Sequence, residues 1–249
     1  MQVVVDSLLT QYVREGTGKT VIILHGWGDN SKSWLSFHKA LAQTYDVVIL
    51  DLPGFGDSQT PNTAWGINDY ASFVGAFLKK LNIKPYAIIG HSNGCAIAIR
   101  GLSKKYLHAE RLVLLDSAGI RNVYKGRKKA LRIITKTGKL VTLPLPHKAR
   151  KWLRQKVYKT IGSDMLVAER LQETFKRVVT DDIQADAATL ELPTVLIYGE
   201  NDLATPVQYG RMLHNLISHS TLEVIPGAEH FVHLEKPEIV LKLVRSFLK

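Results

Sequence analysis

The 249-residue chain contains one cysteine, Cys95, and no apolar run of about eighteen residues, the length that a transmembrane helix needs. A single cysteine excludes an internal disulfide bond and any metal site built from several cysteines. Residues 1–6 also lack the basic start and the apolar stretch that are typical of a secretory signal peptide. We therefore expect a soluble, cytoplasmic protein without a transmembrane segment.

Basic residues are concentrated in one segment, and this concentration accounts for the whole net charge of +11. Residues 121–187 contain 17 basic residues (Lys and Arg) against 6 acidic ones (Asp and Glu), whereas the rest of the chain contains 16 basic and 16 acidic residues. A positive field of this sort attracts anionic partners but does not determine a fold. The segment has no recognised nucleic-acid-binding motif, so we expect no nucleic-acid partner.

Outside that segment, short apolar runs alternate with stretches of helical periodicity. Such runs suit strands that are covered on both faces, as in a parallel sheet, and the alternation predicts right-handed crossovers. The predicted strands are 3–5, 8–13, 21–24, 47–50, 87–89, 112–115, 195–198 and 222–225, and the predicted helices are 31–43, 68–82, 93–105, 206–217 and 237–248. The sequence therefore predicts an α/β fold with a mostly parallel central sheet flanked by helices. Functional residues are expected at the carboxyl ends of its strands.

The alternation stops at about residue 121 and resumes at about residue 188, with three helical patterns in between. In the second pattern, Trp152, Leu153 and Val157 share a face from which Lys and Arg residues are mostly absent. We therefore predict a core formed by residues 1–120 and 188–249, interrupted by a helical, basic cap at 121–187. Because a cap roofs the site, Trp152 is expected to line a substrate pocket.

Three interpretations of the basic cap remain open. Its charge can form a solvated surface that keeps the protein soluble. It can attract an anionic substrate or an acyl carrier protein. Alternatively, the amphipathic helix predicted near 147–161 can rest on anionic lipid as a peripheral membrane contact.

The pentapeptide Gly-His-Ser-Asn-Gly at residues 90–94 follows a predicted buried strand and opens a predicted helix. This is the context of a G-x-S-x-G nucleophile elbow, in which the central residue, Ser92, is the nucleophile. Small residues are needed at both ends because the turn is strained and neighbouring backbone segments approach closely. The alternative, that Ser92 only caps the helix, explains less of the pattern.

A serine hydroxyl becomes a good nucleophile only when a base takes its proton, and an acid must orient that base. After such an elbow the acid comes next along the chain and the histidine last. Asp202 follows the strand at 195–198, and His230 follows the final strand. Asp116, at another strand end, is the alternative acid. His233 is the alternative base, although its spacing fits the entry to the last helix better.

The oxyanion of a tetrahedral intermediate needs two hydrogen-bond donors. One is expected to be the backbone N–H of Asn93, the residue after the nucleophile. The second is assigned to the backbone N–H of Trp27, in the glycine-containing loop that follows the first parallel strand. His25 in this loop is expected to be structural. Asp51 and Asp57 have no cluster of ligands around them, so we expect no metal site.

Together these stretches resemble the α/β-hydrolase superfamily over essentially the whole chain. The resemblance implies a Ser92, Asp202 and His230 triad and no cofactor. Because the elbow carries serine, it argues against the haloalkane dehalogenase and epoxide hydrolase branches, which use aspartate there. The matching stretches are His-Gly-Trp-Gly at 25–28, Asp-Leu-Pro-Gly-Phe-Gly-Asp-Ser at 51–58, the elbow, Asp202 with Pro206, and His230 with Glu235 and Pro237.

Within the superfamily, residues 25–28 and 51–56 are similar to the biotin-pathway esterases that cleave pimeloyl-carrier-protein methyl ester. The same stretches occur in carbon–carbon bond hydrolases and lipase-like esterases, and Asn93 departs from the Leu or Met common in such esterases. The resemblance implies a carboxylesterase-like serine hydrolase acting on a small-molecule ester or a thioester. A carbon–carbon bond hydrolase and a ligand-sensing protein that retains the triad are the alternatives.

Overall fold

The computed structural model describes residues 1–121 and 171–249. Predicted features that fall on residues 122–170, including Trp152 and the amphipathic helix near 147–161, lie outside the described residues. The strands are β1 (Gln2–Val5), β2 (Leu8–Glu15), β3 (Thr20–Leu24), β4 (Asp46–Leu50), β5 (Ala87–His91), β6 (Arg111–Leu115), β7 (Thr194–Gly199) and β8 (Ser220–Ile225). The helices are α1 (Leu35–Ala42), α2 (Ile67–Lys80), α3 (Asn93–Ser103), α4 (Gln172–Thr180), α5 (Gln184–Ala187), α6 (Val207–Leu216), α7 (Val232–Glu235) and α8 (Pro237–Phe247).

The eight strands form one sheet in the order β1-β2-β4-β3-β5-β6-β7-β8. The pairs β1–β2 and β2–β4 are antiparallel, and all pairs from β4 to β8 are parallel. This arrangement confirms the predicted mostly parallel sheet flanked by helices. The carboxyl ends of the parallel strands share one edge, which brings the loops after β3, β5, β6 and β7 together.

The central strands β3 to β7 are buried along almost their whole length, which explains their continuous apolar runs. Successive side chains point to opposite faces of the sheet. In β3, Ile22 and Leu24 belong to the core on one face, whereas Val21 and Ile23 belong to the core on the other. Helices α2, α3 and α6 cover the first core, and α1 and α8 cover the second.

The helix predicted at 31–43 is two elements, a short 3₁₀ helix at Ser31–Trp34 followed by α1. The side chain of Asn30 accepts a hydrogen bond from the N–H of Lys32, and Asp29 accepts from Ser33 Oγ and from Trp34 Nε1. These local side-chain bonds stabilise a tight first turn. The other predicted helices end within two residues of the observed bounds.

The last part of the predicted cap segment is described, and it packs directly on the core. Arg100 of α3 donates to Asp186 at 2.7 Å and to Asp181 at 3.1 Å. The N–H of the fully buried Ile183 donates to the carbonyl oxygen of Gly119 at 3.0 Å. These contacts hold residues 181–186 against α3. None of the helices in residues 1–121 and 171–249 is long and apolar enough to cross a membrane.

Candidate active site

Ser92 lies in the turn between β5 and α3 with a backbone φ of 49° and ψ of −114°. This left-handed conformation is strained for a residue with a side chain, and it points the hydroxyl out of the turn. The flanking glycines are required by space. A Cβ on Gly94 would overlap the carbonyl oxygen of Leu24, and a Cβ on Gly90 would lie 2.7 Å from the backbone of Cys95. Ser92 makes no side-chain capping bond to α3.

The Ser92 hydroxyl instead meets His230. Its Oγ lies 3.1 Å from His230 Nε2, and His230 Nδ1 lies 2.8 Å from Oδ2 of Asp202. Because an ionised carboxylate can only accept, His230 Nδ1 carries the proton, and Nε2 accepts the hydroxyl proton of Ser92. The structure thus brings together the three residues that the sequence predicts as a triad.

Asp202 is buried, yet four hydrogen bonds favour its charged form. Its Oδ1 accepts from the N–H groups of Ala204 and Thr205 at 2.7 and 2.9 Å. Its Oδ2 accepts from the Thr205 hydroxyl at 2.5 Å as well as from His230. Burial alone would raise the pKa of Asp202, but the bonds from His230 and Thr205 outweigh it and lower the pKa. Asp202 is therefore an anion at neutral pH, facing the imidazole.

The alternative acid, Asp116, makes no hydrogen bond to His230 in the described part of the chain. Its Oδ1 accepts from the N–H of Gly199 at 2.8 Å, and its Oδ2 accepts from the N–H of Val232 at 3.3 Å. Burial is the main cause that raises the pKa of Asp116 to about 8, with a smaller contribution from the charge of Asp202. Asp116 thus joins β7 to the segment that follows His230.

The alternative base, His233, is buried in an aromatic cluster. Its ring stacks on Trp34 with 3.9 Å between centroids, and neither ring nitrogen has a hydrogen-bond partner in the described part of the chain. Burial lowers the pKa of His233 well below the usual histidine value. His233 is thus a neutral packing residue, and His230 is the histidine that contacts Ser92.

The loop with the predicted oxyanion donor lies against the elbow. A Cβ on Gly26 would lie 3.3 Å from Ser92 Cβ and 2.9 Å from His91 Nδ1. Asn93 is the first residue of α3, where backbone N–H groups have no partner within the helix. Within residues 1–121 and 171–249, no hydrogen bond is formed by the N–H of Trp27 or of Asn93. Both donors stay predictions for the oxyanion hole.

His25 fixes the start of this loop, residues 25–28, through two hydrogen bonds to backbone groups. Its Nε2 accepts from the N–H of Leu52 at 2.9 Å, so its Nδ1 carries the proton and donates to the carbonyl oxygen of Gly26 at 2.7 Å. Burial lowers the pKa of His25 and keeps the ring neutral. These backbone contacts agree with a structural role. Asp51, which precedes Leu52, accepts from the N–H groups of Ser31 and Asp57 at 2.7 and 2.9 Å.

Three aromatic rings form a wall beside the oxyanion loop. The half-buried Trp27 ring lies 4.9 Å from the ring of Phe55 and 5.2 Å from that of Phe175, which belongs to α4. Helix α4 is tied to the core by the Trp65 N–H, which donates to Thr174 Oγ1 at 3.1 Å. The sequence analysis did not assign Phe55 or Phe175 to the site.

Among residues 1–121 and 171–249, one group of side chains lies close enough to bind a metal ion. The ligand atoms of His91, Asp116 and His230 all lie within 4.8 Å of one another. Each of the three already has hydrogen-bond partners. His91 bonds to the carbonyl oxygen of His230, and Asp116 accepts from two backbone N–H groups. The His230 ring bonds to Ser92 and Asp202. These hydrogen bonds account for the position of each side chain without a metal ion.

Comparisons with known proteins agree with the fold. A model described as the alpha/beta hydrolase family matches residues 21–243. A monoacylglycerol lipase of Rattus norvegicus is 27% identical over 260 residues, which are 94% of this chain and 77% of the lipase. The 2-hydroxy-6-oxo-6-(2'-aminophenyl)hexa-2,4-dienoic acid hydrolase of Metapseudomonas resinovorans is 26% identical over 269 residues, which are 96% of this chain and 87% of that enzyme. The crystal structure of a membrane phospholipase A superposes with a TM-score of 0.80 and 23% identity, covering 100% of this chain and 84% of that one.

Proposed function

Because this chain belongs to the alpha/beta hydrolase family and is a hydrolase, we propose that it cleaves a carboxylic ester through an acyl-enzyme on Ser92. The observation that carries this proposal is the continuous relay from Asp202 through His230 to the strained Ser92, at 2.8 and 3.1 Å. A relay of this geometry activates a serine for attack on a carbonyl carbon.

The proposed reaction has two steps. His230 Nε2 takes the Ser92 proton while Oγ attacks the carbonyl carbon, and the N–H groups of Trp27 and Asn93 stabilise the oxyanion. The bond to the leaving alcohol then breaks, and His230 returns the proton to that alcohol. In the second step His230 takes a proton from water as the water oxygen attacks the acyl-enzyme, and it returns that proton to Ser92 Oγ as the bond between Oγ and the acyl carbon breaks and the acid leaves. Asp202 stays ionised throughout and stabilises the imidazolium.

The aromatic wall formed by Trp27, Phe55 and Phe175 favours a substrate that carries an apolar group. Trp27 belongs to the loop that lies against Ser92, and its ring contacts those of Phe55 and Phe175; aromatic surfaces of this kind bind apolar or aromatic groups. The ester hydrolysed by the Rattus norvegicus relative, a monoacylglycerol, agrees with this class. We further propose that residues 121–187 form a cap above this wall, since α4 already carries Phe175 onto Trp27.

A carbon–carbon bond hydrolase is the second candidate. It is favoured by the Metapseudomonas resinovorans relative, whose name specifies a dienoic acid substrate and which matches 96% of this chain. Both reactions require the same serine and histidine, so the substrate separates them. Turnover of a 2-hydroxy-6-oxo-dienoic acid faster than any ester would replace the ester proposal with this one.

A panel of p-nitrophenyl esters of increasing chain length tests the main proposal, with a carrier-protein ester and a thioester beside it. Wild-type protein should hydrolyse at least one ester, and Ser92→Ala should reduce kcat by on the order of 10⁴-fold or more. Ser103→Ala, at the other end of α3, is the matched control and should keep wild-type kcat. Ester hydrolysis that survives Ser92→Ala would contradict the proposal, and ligand binding without turnover would favour a sensor.

Ionic strength distinguishes the three roles of the basic segment. If its charge attracts an anionic substrate or carrier, added salt should lower kcat/KM more for an anionic ester than for a neutral ester of equal length. Equal salt sensitivity would contradict that role.

Binding to anionic vesicles but not to neutral ones would support a membrane contact. A merely solvated surface predicts neither effect.

A further inference from the structure

His91, the residue directly before Ser92, makes a hydrogen bond that the proposed reaction does not use. Its ring is fully buried, and its Nε2 lies 2.8 Å from the carbonyl oxygen of His230. A carbonyl oxygen can only accept, so in the neutral ring of His91 the proton is on Nε2 and not on Nδ1. Among the described residues, Nδ1 has no hydrogen-bond partner. Burial lowers the pKa of His91 to about 4, so this tautomer is neutral at pH 7.

This bond joins two parts of the site that are 139 residues apart along the chain. His91 is the last residue of β5 and pairs with Leu115 of β6, deep in the parallel sheet. Ser92 follows it directly. The bond therefore holds the backbone of His230 to the same strand end that holds Ser92, so the two reacting side chains share one rigid support.

The other backbone hydrogen bonds of this loop do not involve the backbone of His230. Asp116 accepts from the N–H of Val232, and Glu235 accepts from the N–H groups of Glu229 and Phe231. Those bonds fix the residues on either side of His230. In the described part of the chain, the bond from His91 is the one that reaches a backbone atom of His230.

We propose that His91 is a positioning residue, whose Nε2–H···O=C bond to His230 keeps the imidazole aligned between Asp202 and Ser92. When the carbonyl group of His230 is held in place, the direction of the His230 Cα–Cβ bond is restricted, and with it the position of the imidazole ring. A displacement of about 1 Å at a reacting group costs on the order of 10²-fold in rate. This inference rests on the proposed function.

Two variants of His91 separate positioning from packing. The His91 ring contacts other rings, at 4.8 Å from His233 and 5.2 Å from Phe231, so His91→Phe keeps an aromatic ring but removes the donor. It should lower kcat by about 10- to 100-fold with KM changed by less than about twofold. His91→Gln places an amide N–H near the position of Nε2 and should recover most of kcat.

His233→Phe is the matched control, because it replaces a buried histidine of the same cluster that has no hydrogen bond to lose among the described residues. It should keep wild-type kcat. Labelling by a fluorophosphonate gives a second readout, since that probe reacts with Ser92 without needing the natural substrate. The labelling rate should fall with kcat in His91→Phe. A wild-type rate in His91→Phe, or an equal loss in His233→Phe, would overturn the inference.

A measurement on the unaltered protein covers the case in which His91→Phe does not fold. In ¹⁵N NMR spectra, the wild-type His91 ring should be the neutral Nε2–H tautomer at pH 7, with a slowly exchanging Nε2 proton. An Nδ1–H tautomer or a charged ring would overturn the inference. Absence of any Ser92 labelling in wild-type protein would instead refute the proposed function, whatever the tautomer of His91.

Discussion

Replacing Asp202 with asparagine should reverse the tautomer of His230 and leave the shape of the site intact. In the structure, Asp202 Oδ1 accepts from the N–H groups of Ala204 and Thr205, and Oδ2 faces His230 Nδ1 at 2.8 Å. Asparagine has one acceptor oxygen, and the two backbone donors hold that oxygen on their side. Its NH₂ group then faces His230. Because NH₂ can only donate, Nδ1 must accept, and the ring proton moves to Nε2.

A ring protonated at Nε2 cannot take the proton of Ser92. We therefore expect kcat to fall on the order of 10⁴-fold, which is about 5.4 kcal/mol of activation free energy. KM should change little, because Asp202 is buried and its side chain bonds only to Ala204, Thr205 and His230 among the described residues. The assay is steady-state hydrolysis of the best p-nitrophenyl ester from the panel, with thermal unfolding followed by circular dichroism to verify folding.

Asp116→Asn is the matched control, because Asp116 is the other buried acid at this sheet edge and makes no hydrogen bond to His230 among the described residues. Its kcat should stay within about one order of magnitude of wild type. The reasoning would be refuted if Asp116→Asn lost more activity than Asp202→Asn. It would also be refuted if Asp202→Asn kept more than about a tenth of wild-type kcat.

Three further predictions concern stability and specificity. Burial raises the folded-state pKa of Asp116 to about 8, above its unfolded value, so its stabilising contribution is fully present below the unfolded pKa and is lost as pH rises toward 8. Wild-type stability in urea should therefore fall relative to Asp116→Asn between pH 5 and 8, by at most about 1.4 kcal/mol per pH unit. Gly94→Ala should cost at least about 3 kcal/mol of unfolding free energy, because its Cβ would overlap the carbonyl oxygen of Leu24. Phe175→Ala removes the ring on Trp27 and should raise KM for long-chain esters by about tenfold, as measured across the ester panel.

Each of these predictions has an outcome that would contradict it. Parallel stability curves for wild type and Asp116→Asn would mean that Asp116 is ionised in the folded protein. Gly66→Ala is the control for Gly94→Ala, because a Cβ on Gly66 meets nothing closer than 3.8 Å. Equal destabilisation by both would refute the steric argument. Equal KM changes for acetate and long-chain esters would place the Phe175 ring outside the acyl pocket.

Local patterns predicted the central fold well, because the parallel strands are buried on both faces. The apolar runs at 21–24, 47–50 and 112–115 lie within β3, β4 and β6, and the side chains of these runs are fully buried. The elbow was recognisable for a similar reason. Close backbone contacts require glycine at positions 90 and 94, so the geometry of the turn determines residues that are near one another in the sequence.

Residues whose role depends on contacts between distant parts of the chain are harder to predict from the sequence. His91 reaches His230 across 139 positions, and no spacing in the sequence indicates that bond. Thr205, which donates to Asp202 Oδ2, could have been suggested by its place three residues after the acid. The contact of Phe175 with Trp27 depends on how α4 packs on the core, which the spacing of apolar residues does not show.

The split of the helix predicted at 31–43 had a local cause that periodicity does not register. Hydrogen bonds from Ser33 and Trp34 to the side chain of Asp29 set the 3₁₀ turn before α1 begins. Apolar spacing reports which face of a helix is buried, whereas such bonds decide where the helix starts. The boundaries of the predicted cap stay a prediction.

The most direct test of the account is a mass-spectrometric map of the site labelled by a fluorophosphonate. We predict one label per chain, on the peptide that contains Ser92, with loss of ester hydrolysis in proportion to labelling. Ser92→Ala should take up no label, and Ser103→Ala should be labelled like wild type. A label on another residue, or full ester hydrolysis after stoichiometric labelling of Ser92, would contradict the assignment of Ser92 as the nucleophile.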